Sequence, residues 1–164
     1  MSAPAVDPSI LVVGGGPAGL RAALDLAELG IRVNLVETRK ELGGAPIRWN
    51  YKTLAPKQRP TEEVMDPLLQ GVRSNPRVQV HLGAVVETFD GEPGRFRARI
   101  KRAEAGTFVD VAASAAVVAT GFDHHDATGD PRYEYGRAKD VYGIHELEGM
   151  LKAGKVVCRD GRKP

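Results

Sequence analysis

Ile10-Leu11-Val12-Val13-Gly14-Gly15-Gly16-Pro17-Ala18-Gly19 is the stretch that decides the fold. Four apolar residues stopped by glycines read as a buried parallel strand. Pro17 fits the first turn of a helix, where its missing N–H costs nothing. Leu20, Ala23, Leu24 and Ala27 then share one helical face, and Arg21, Asp25 and Glu28 lie on the other. Gly30 is a natural helix stop, and Arg32-Val33-Asn34-Leu35-Val36-Glu37 reads as a second strand. The whole is one βαβ unit of the right-handed kind. Within it Gly14 to Gly19 fits G-x-G-x-x-G, weak alone but placed here between a strand and an amphipathic helix. Gly14 permits the tight turn, Gly16 lets backbone approach a pyrophosphate, and Gly19 lets helix and strand pack closely. The helix N-terminus offers N–H groups and a positive dipole end to phosphates. Glu37, at the end of the second strand, can accept hydrogen bonds from an adenosine ribose and would repel a 2′-phosphate.

Working outward, residues 1–9 read as a small, Pro-rich arm. Residues 38–60 contain Gly43-Gly44, Pro46, Pro56 and Pro60, which forbid a long element. Thr61-Glu62-Glu63 is an acceptable helix start, and the helix should reach about Ser74 with strain or a kink at Pro67. Val78 to Leu82 alternates as a third strand. Ala84–Phe89, Arg95–Arg102 and Thr107–Val111 are three short strands, with turns at 90–94 and 105–106, and make an antiparallel meander. Ala115-Ala116-Val117-Val118-Ala119 is wholly apolar and should return to the central sheet. Beyond Gly121 the chain is polar, with a short helix near Ile144–Leu151 and a last strand starting at Lys155. The expected architecture is α/β: a Rossmann-like domain over residues 10–123, its parallel sheet interrupted by a three-stranded antiparallel meander, and a polar extension over residues 124–164 that is an incomplete continuation of the same protein.

The bulk numbers fit this. A length of 164 residues allows one domain with a real core. A hydrophobic fraction of 42% with 27% charged residues argues against disorder. A net charge of +2, from 23 basic and 21 acidic residues, gives no reason to expect nucleic acid or an anionic membrane. The single cysteine, Cys158, cannot alone form a disulfide, a redox pair or an iron–sulfur cluster. No apolar run is long enough to span a bilayer, and the N-terminus has no signal-like region, so the expected location is the cytoplasm.

Three features favour FAD over NAD. Gly43-Gly44 follows Glu37 closely and gives backbone a second approach to an extended cofactor. The sheet is interrupted by a meander rather than continued by another βαβ unit. The strand ending in Val118-Ala119-Thr120-Gly121 puts a hydroxyl and bare backbone at the carboxyl edge of the sheet, where such ligands bind. In this order the glycine motif, Glu37, Gly43-Gly44 and Ala119-Thr120-Gly121 resemble the FAD domain of two-dinucleotide-binding flavoproteins of the glutathione and thioredoxin reductase type. In that class the segment matching Ala84-Val85-Val86 contacts adenine through its backbone. More narrowly, the chain resembles the flavin-carrying subunit of heterodisulfide reductases, through Ile10–Gly19, Leu35-Val36-Glu37 with Gly43-Gly44, Val118–Asp123, Glu134-Tyr135-Gly136-Arg137 and Asp140-Val141.

The candidate cofactor-binding set is therefore Gly14, Gly15, Gly16, Pro17, Ala18 and Gly19, then Glu37, Thr38 and Arg39, Gly43, Gly44 and Ala45, Val85 and Val86, and Ala119, Thr120 and Gly121. Methanogen-type flavin subunits carry cluster-binding cysteines soon after the Gly-Gly, whereas Ala45-Pro46-Ile47-Arg48-Trp49-Asn50-Tyr51 has none. That resembles the cysteine-poor version in the heterodisulfide-reductase-like complexes of sulfur oxidisers, whose other subunits carry iron–sulfur clusters. The resemblance implies an FAD-dependent oxidoreductase subunit for electron transfer in sulfur metabolism. Its expected partners are those iron–sulfur subunits, with a homodimer as a further arrangement. The family also continues past Arg162-Lys163-Pro164, into the rest of its FAD site. A stand-alone NAD(P)H-dependent disulfide-reductase-type flavoprotein is the alternative, and needs a second nucleotide fingerprint where this sequence has one. A non-catalytic nucleotide-binding module is the third reading.

His124-His125-Asp126 invites a metal, but adjacent residues rarely converge on one ion, and a polar loop near the flavin edge is the reading adopted. No metal site is expected and no catalytic side chain is named. His145 reads as structural or surface. Arg95, Arg97, Arg99 and Lys101 share one strand face, as a solvated face or as a surface for an acidic partner. Arg39 and Lys40 read as contacts to the adenosine moiety or as the surface charges common just past strands. Trp49 and Tyr51 read as cover for the cofactor or an interface, and Cys158 as a buried core thiol.

Overall fold

In the computed structural model residues 9–164 are described, and residues 1–8 of the expected arm lie outside them. Ser9, read with that arm, instead opens the first strand and is buried, its hydroxyl donating to the Ala112 carbonyl at 2.6 Å. The strand β1 is Ser9–Val13, followed by helix α1, Pro17–Glu28, and β2, Arg32–Val36. The helix buries Gly19, Leu20, Ala23, Leu24 and Ala27, the apolar face expected from the 3.6-residue period. Its outer charges pair among themselves, Arg21 with Asp25 and Glu28. Next come the short helix α2 (Gly44–Arg48), the two-residue strands β3 (Thr53–Leu54) and β4 (Arg59–Pro60), and α3 (Thr61–Ser74). Pro67 sits inside α3, which runs unbroken through it. The residue whose carbonyl loses a donor there, Glu63, is exposed, so water can take that bond.

The remaining strands are β5 (Val78–His81), β6 (Ala84–Glu92), β7 (Arg95–Arg102), β8 (Phe108–Ala113) and β9 (Ala115–Val118), and the last helix is α4 (Ile144–Lys152). Two sequence-based expectations are corrected here. The expected turn at 90–94 is shorter, because β6 continues to Glu92 and pairs it with Arg95. Gly91 makes this possible: its φ of +121° and the Arg95 carbonyl 2.5 Å from a would-be Cβ leave no room for a side chain. No strand forms from Lys155. Two valines precede Cys158, whose N–H and carbonyl close a turn with Arg162 and Gly161 at 2.7 and 2.8 Å. Cys158 is half-buried in that turn rather than in a core.

The chain forms two compact units. The first takes the described chain up to Gly44 together with Met65–Gly121, and the second takes Ala45–Val64 with Phe122–Pro164. Residues 45–64, expected within the 10–123 domain, thus pack with the segment after Gly121.

In the first unit a four-stranded parallel sheet has the order β5-β2-β1-β9. The meander β6-β7-β8 is antiparallel throughout. Leu11 and Val36 of the parallel sheet form one buried cluster with Ala84, Ala98, Ile100 and Ala113 of the meander. Alternation turns Val12, Val33 and Leu35 to the opposite face, where α1 packs and all are buried. Truncating a side chain such as Leu11 to Ala costs about 2–5 kcal/mol by lost transfer energy and cavity formation. The wholly apolar β9 does return to the central sheet, but at its edge, with Val118 75% exposed.

In the second unit α4 starts at Gly143, whose N–H is capped by the Glu146 carboxylate at 2.8 Å. The two chain segments of this unit are joined by Arg48 with Asp123, Tyr51 with His124, Lys52 with Glu148 and Glu62 with Lys152.

Candidate cofactor site

The site is built at the carboxyl edge of the parallel sheet, where β1 lies between β2 and β9. The chain runs from β1 to β2 on one side and reaches β9 on the other, so β1 marks a topological switch point, where open α/β sheets bind ligands. Gly14 donates to the Val36 carbonyl at 2.8 Å and Ala119 to that of Val13 at 2.8 Å. These bonds bring the glycine turn against Ala119-Thr120. Gly14 has φ +110°, and a Cβ there would overlap the Ala119 carbonyl oxygen. A Cβ on Gly19 would overlap the Gly14 carbonyl oxygen. One on Gly15 would lie 2.6 Å from Leu42 Cδ2 and 2.9 Å from Glu37 Oε2. Gly14 and Gly19 are therefore required by the protein's own backbone, and a side chain on Gly15 would displace Leu42 and Glu37.

Gly16 differs. Its φ is −78°, and a Cβ would meet nothing closer than the Gly44 Cα at 3.8 Å. Gly44, at φ +61°, would bring its own Cβ within 2.7 Å of Gly16 Cα, and Gly43 donates to the Gly15 carbonyl at 2.8 Å. The Gly43-Gly44 segment is thus fastened to the glycine turn, with bare backbone on both. Behind Gly16, α1 begins without a side-chain cap, with Pro17 in its first turn and no acidic residue there. Its first N–H groups, including those of Ala18 and Gly19, present an uncapped positive dipole end.

Glu37 is buried just past β2 at 7% exposure. Oε2 accepts the Gly15 N–H at 2.6 Å, while Oε1 accepts the Arg39 N–H at 2.8 Å and the Thr38 hydroxyl at 3.1 Å. A carboxylate has about four acceptor positions, so capacity remains for hydroxyl groups of a ligand. The backbone of the same residue is held by the turn after β5: Glu37 N–H donates to the His81 carbonyl at 2.9 Å, and Ala84 N–H to the Glu37 carbonyl at 3.0 Å. Val85 and Val86 follow directly in β6, and Val85 is 41% exposed.

The first unit accordingly brings together Gly14 to Gly19, Glu37 to Arg39, Gly43 and Gly44, Val85 and Val86, and Ala119 to Gly121. Ala45 belongs to the second unit, as do Trp49 and Tyr51. There Trp49 packs on His124 and His145, with ring centroids 5.3 and 4.7 Å away, under the Arg48 guanidinium. Tyr51 Oη lies 2.6 Å from His124 Nε2. Burial, with the Glu148 charge, raises the Tyr51 phenol above its ordinary value, so it stays protonated and can donate to the imidazole. Among the described residues no three or more His, Cys, Asp or Glu gather as a metal set.

The basic strand face is internally paired: Arg95 with Glu92, Arg99 with Asp110 and Lys101 with Glu87, while Arg97 stands opposite Asp90 in register. Lys40 pairs with Glu104. Burial and the neighbouring Asp140 and Asp160 charges raise the Cys158 thiol, which disfavours the reactive thiolate. Leu42 is a site residue that sequence reasoning missed. It is the buried side chain against Gly15, and a lone leucine in an irregular segment carries no pattern that could have marked it.

Residues 8–128 match the family model described as pyridine nucleotide-disulphide oxidoreductase. The chain belongs to this family. A family member is an oxidoreductase with FAD as its cofactor, and the side-chain-free backbone of Gly16 and Gly44 in front of an uncapped helix fits an extended diphosphate. When bound, the flavin supplies the redox chemistry and the protein supplies position and electrostatics. Among the family's curated relatives, an iron–sulfur subunit of CoB–CoM heterodisulfide reductase from Methanopyrus kandleri is 37% identical over 101 residues, 59% of this chain and 14% of that protein. A ferredoxin–NADP reductase from Streptococcus thermophilus is 30% identical over 161 residues, 93% of this chain and 46% of that protein. The chain thus spans less than half the length of either. L-proline dehydrogenase from P. horikoshii superposes with a TM-score of 0.58 at 25% identity, over 69% of this chain and 22% of that one. No helix among the described residues is long and apolar enough to cross a membrane.

Proposed function

We propose that this chain is the FAD-holding part of a heterodisulfide-reductase-like electron-transfer complex of sulfur metabolism, working in the cytoplasm with iron–sulfur partner subunits. In this reading the Ala18 and Gly19 N–H groups face the pyrophosphate across Gly16, and Gly43 and Gly44 flank it. Glu37 accepts ribose hydroxyls, Thr38 and Arg39 border the ribose, and the Val85-Val86 backbone meets adenine. Ala119, Thr120 and Gly121 line the carboxyl edge beside the turn. The observation that carries the cofactor site is the contrast within one turn: Gly14 and Gly19 are closed by backbone atoms and Gly15 by the Leu42 and Glu37 side chains, whereas a Cβ on Gly16 would make only ordinary contact with Gly44. The likeness to a heterodisulfide reductase iron–sulfur subunit supports the complex, and one cysteine in 164 residues fits the cysteine-poor version of sulfur oxidisers.

The second reading is a stand-alone NAD(P)H-dependent FAD oxidoreductase of the disulfide reductase type. The observation in its favour is the ferredoxin–NADP reductase relative, which matches 93% of the chain. Steady-state NAD(P)H oxidation with a dye acceptor separates the two. Turnover that appears only with added iron–sulfur subunits supports the complex, and fast turnover without them supports the stand-alone enzyme.

A further inference from the structure

His81 ends β5 with its side chain 1% exposed. Register sets it beside Val36, on the face of the parallel sheet that the meander covers. Nε2 lies 3.1 Å from Asn34 Oδ1. An amide oxygen only accepts, so Nε2 carries the hydrogen and Nδ1 is the bare nitrogen. That Nδ1 is buried and has no hydrogen-bond partner. An imidazolium would place a second N–H where nothing accepts it. The surrounding charges do not help. The Arg102 guanidinium at the end of β7 opposes a further positive charge. The Glu37 carboxylate is turned to the Gly15, Thr38 and Arg39 donors. Asn34 of β2 and Ala84 of β6 are neutral, and the charges of α1 are paired on its outer face.

The segment around His81 holds Glu37. Three main-chain bonds tie the two stretches: Glu37 N–H to the His81 carbonyl, Ala84 N–H to the Glu37 carbonyl and Gly83 N–H to the Arg39 carbonyl, at 2.9, 3.0 and 2.8 Å. The Glu37 carboxylate in turn holds Gly15 at 2.6 Å. β5 is a four-residue edge strand, so it can open locally without unfolding the sheet.

We propose that His81 is a positioning residue for the FAD site: its neutral imidazole anchors the 81–84 turn that holds Glu37, and its protonation in mild acid lifts that turn and releases FAD. The inference rests on the site reading given under Proposed function. Opening the edge strand gives the imidazolium water and frees the Glu37 backbone. Burial, with Arg102, lowers the His81 proton affinity in the closed form, so acid favours the open one.

The test uses the full chain between pH 7.5 and 5.5, above the range in which carboxylates ordinarily titrate. FAD dissociation constants are measured by fluorescence, and amide exchange at residues 81–84 is followed in the FAD-free protein. For the parent, affinity should fall with acid by up to about tenfold per pH unit, the limit for one proton, with lower protection of the Gly83 and Ala84 amides relative to their intrinsic exchange rates. His81→Gln and His81→Phe, which cannot titrate, should bind FAD more weakly than the parent at pH 7.5, through loss of the imidazole anchor, and should lose the acid limb. Either variant suffices if the other does not fold. An unchanged acid limb in the variants, or a parent whose affinity or amide protection stays flat with pH, overturns the role of His81. Failure of the parent to bind FAD at pH 7.5 overturns the site reading instead, and the switch with it.

Discussion

The Glu37 carboxylate accepts the main-chain N–H of Gly15 at 2.6 Å, joining residues 22 positions apart across the mouth of the βαβ unit. The residue expected to meet the cofactor's ribose is also the one that shapes the glycine turn. Replacing it therefore disturbs the turn before any ligand arrives. Glu37→Gln keeps one acceptor oxygen and sets an amide donor against the remaining N–H groups. The expected cost is about 1–3 kcal/mol of apo stability, that of leaving buried donors unpaired. FAD affinity should fall at least about tenfold, and further in Glu37→Arg. Chemical denaturation and fluorescence titration measure the two effects separately, and parent-like values in both would rule out the role.

Much of this site was legible in the sequence, for a physical reason. The strand, the glycine turn and the apolar face of α1 are local patterns, and Leu20, Ala23, Leu24 and Ala27 are buried as their spacing requires. The paired Arg95–Arg102 strand was equally local, since its alternation leaves Ala98 and Ile100 buried and the basic residues outside. What could not be read is set by distant partners. Tyr51 meets His124 across 73 positions, and nothing near either residue announces the other. The same holds for His81 and Asn34, whose bond follows from strand order. The strand expected from Lys155 failed because its apolar run, Val156-Val157, ends at once in the turn around Gly161.

The Tyr51–His124 contact yields a second prediction. It links the two chain segments of the second unit, beside Trp49, whose ring packs at a tilt on both His124 and His145. Tyr51→Phe removes the hydroxyl and keeps the ring, so the change should be confined to the hydrogen bond, about 0.5–1.5 kcal/mol. A double-mutant cycle with His124→Ala should return a coupling energy of that size. Additive effects would mean that the pair adds nothing to stability.

Iron and acid-labile sulfide on the purified chain should both read zero. A four-iron cluster takes about four thiolates, whereas the sequence holds one cysteine. That thiol, at Cys158, is raised by burial and by Asp140 and Asp160, which opposes the thiolate a metal needs. Stoichiometric iron would contradict this and would point to a cluster shared between chains.

The most discriminating experiment sets Gly16 against Gly19. Both belong to the same six-residue motif, and substitution of either is expected to abolish cofactor binding, so loss of FAD alone would say little. The structure separates them by cause. At Gly19 an added Cβ overlaps the Gly14 carbonyl oxygen, so Gly19→Ala must push α1 away from β1, at roughly 1–3 kcal/mol or more. At Gly16 the backbone has φ −78°, a value any residue adopts, and a Cβ finds only Gly44 Cα at 3.8 Å. Gly16→Ala should therefore fold with parent stability, or gain a few tenths of a kcal/mol to about 1 kcal/mol from a less flexible unfolded chain. In the proposed site its methyl group would still crowd the diphosphate, so FAD affinity should drop at least about tenfold. Thermal melts of the FAD-free proteins, set beside FAD titrations, place each variant on two axes. Gly19→Ala should fall on both, and Gly16→Ala on binding alone. If Gly16→Ala instead retains FAD as tightly as the parent, the open space before α1 is not the diphosphate site.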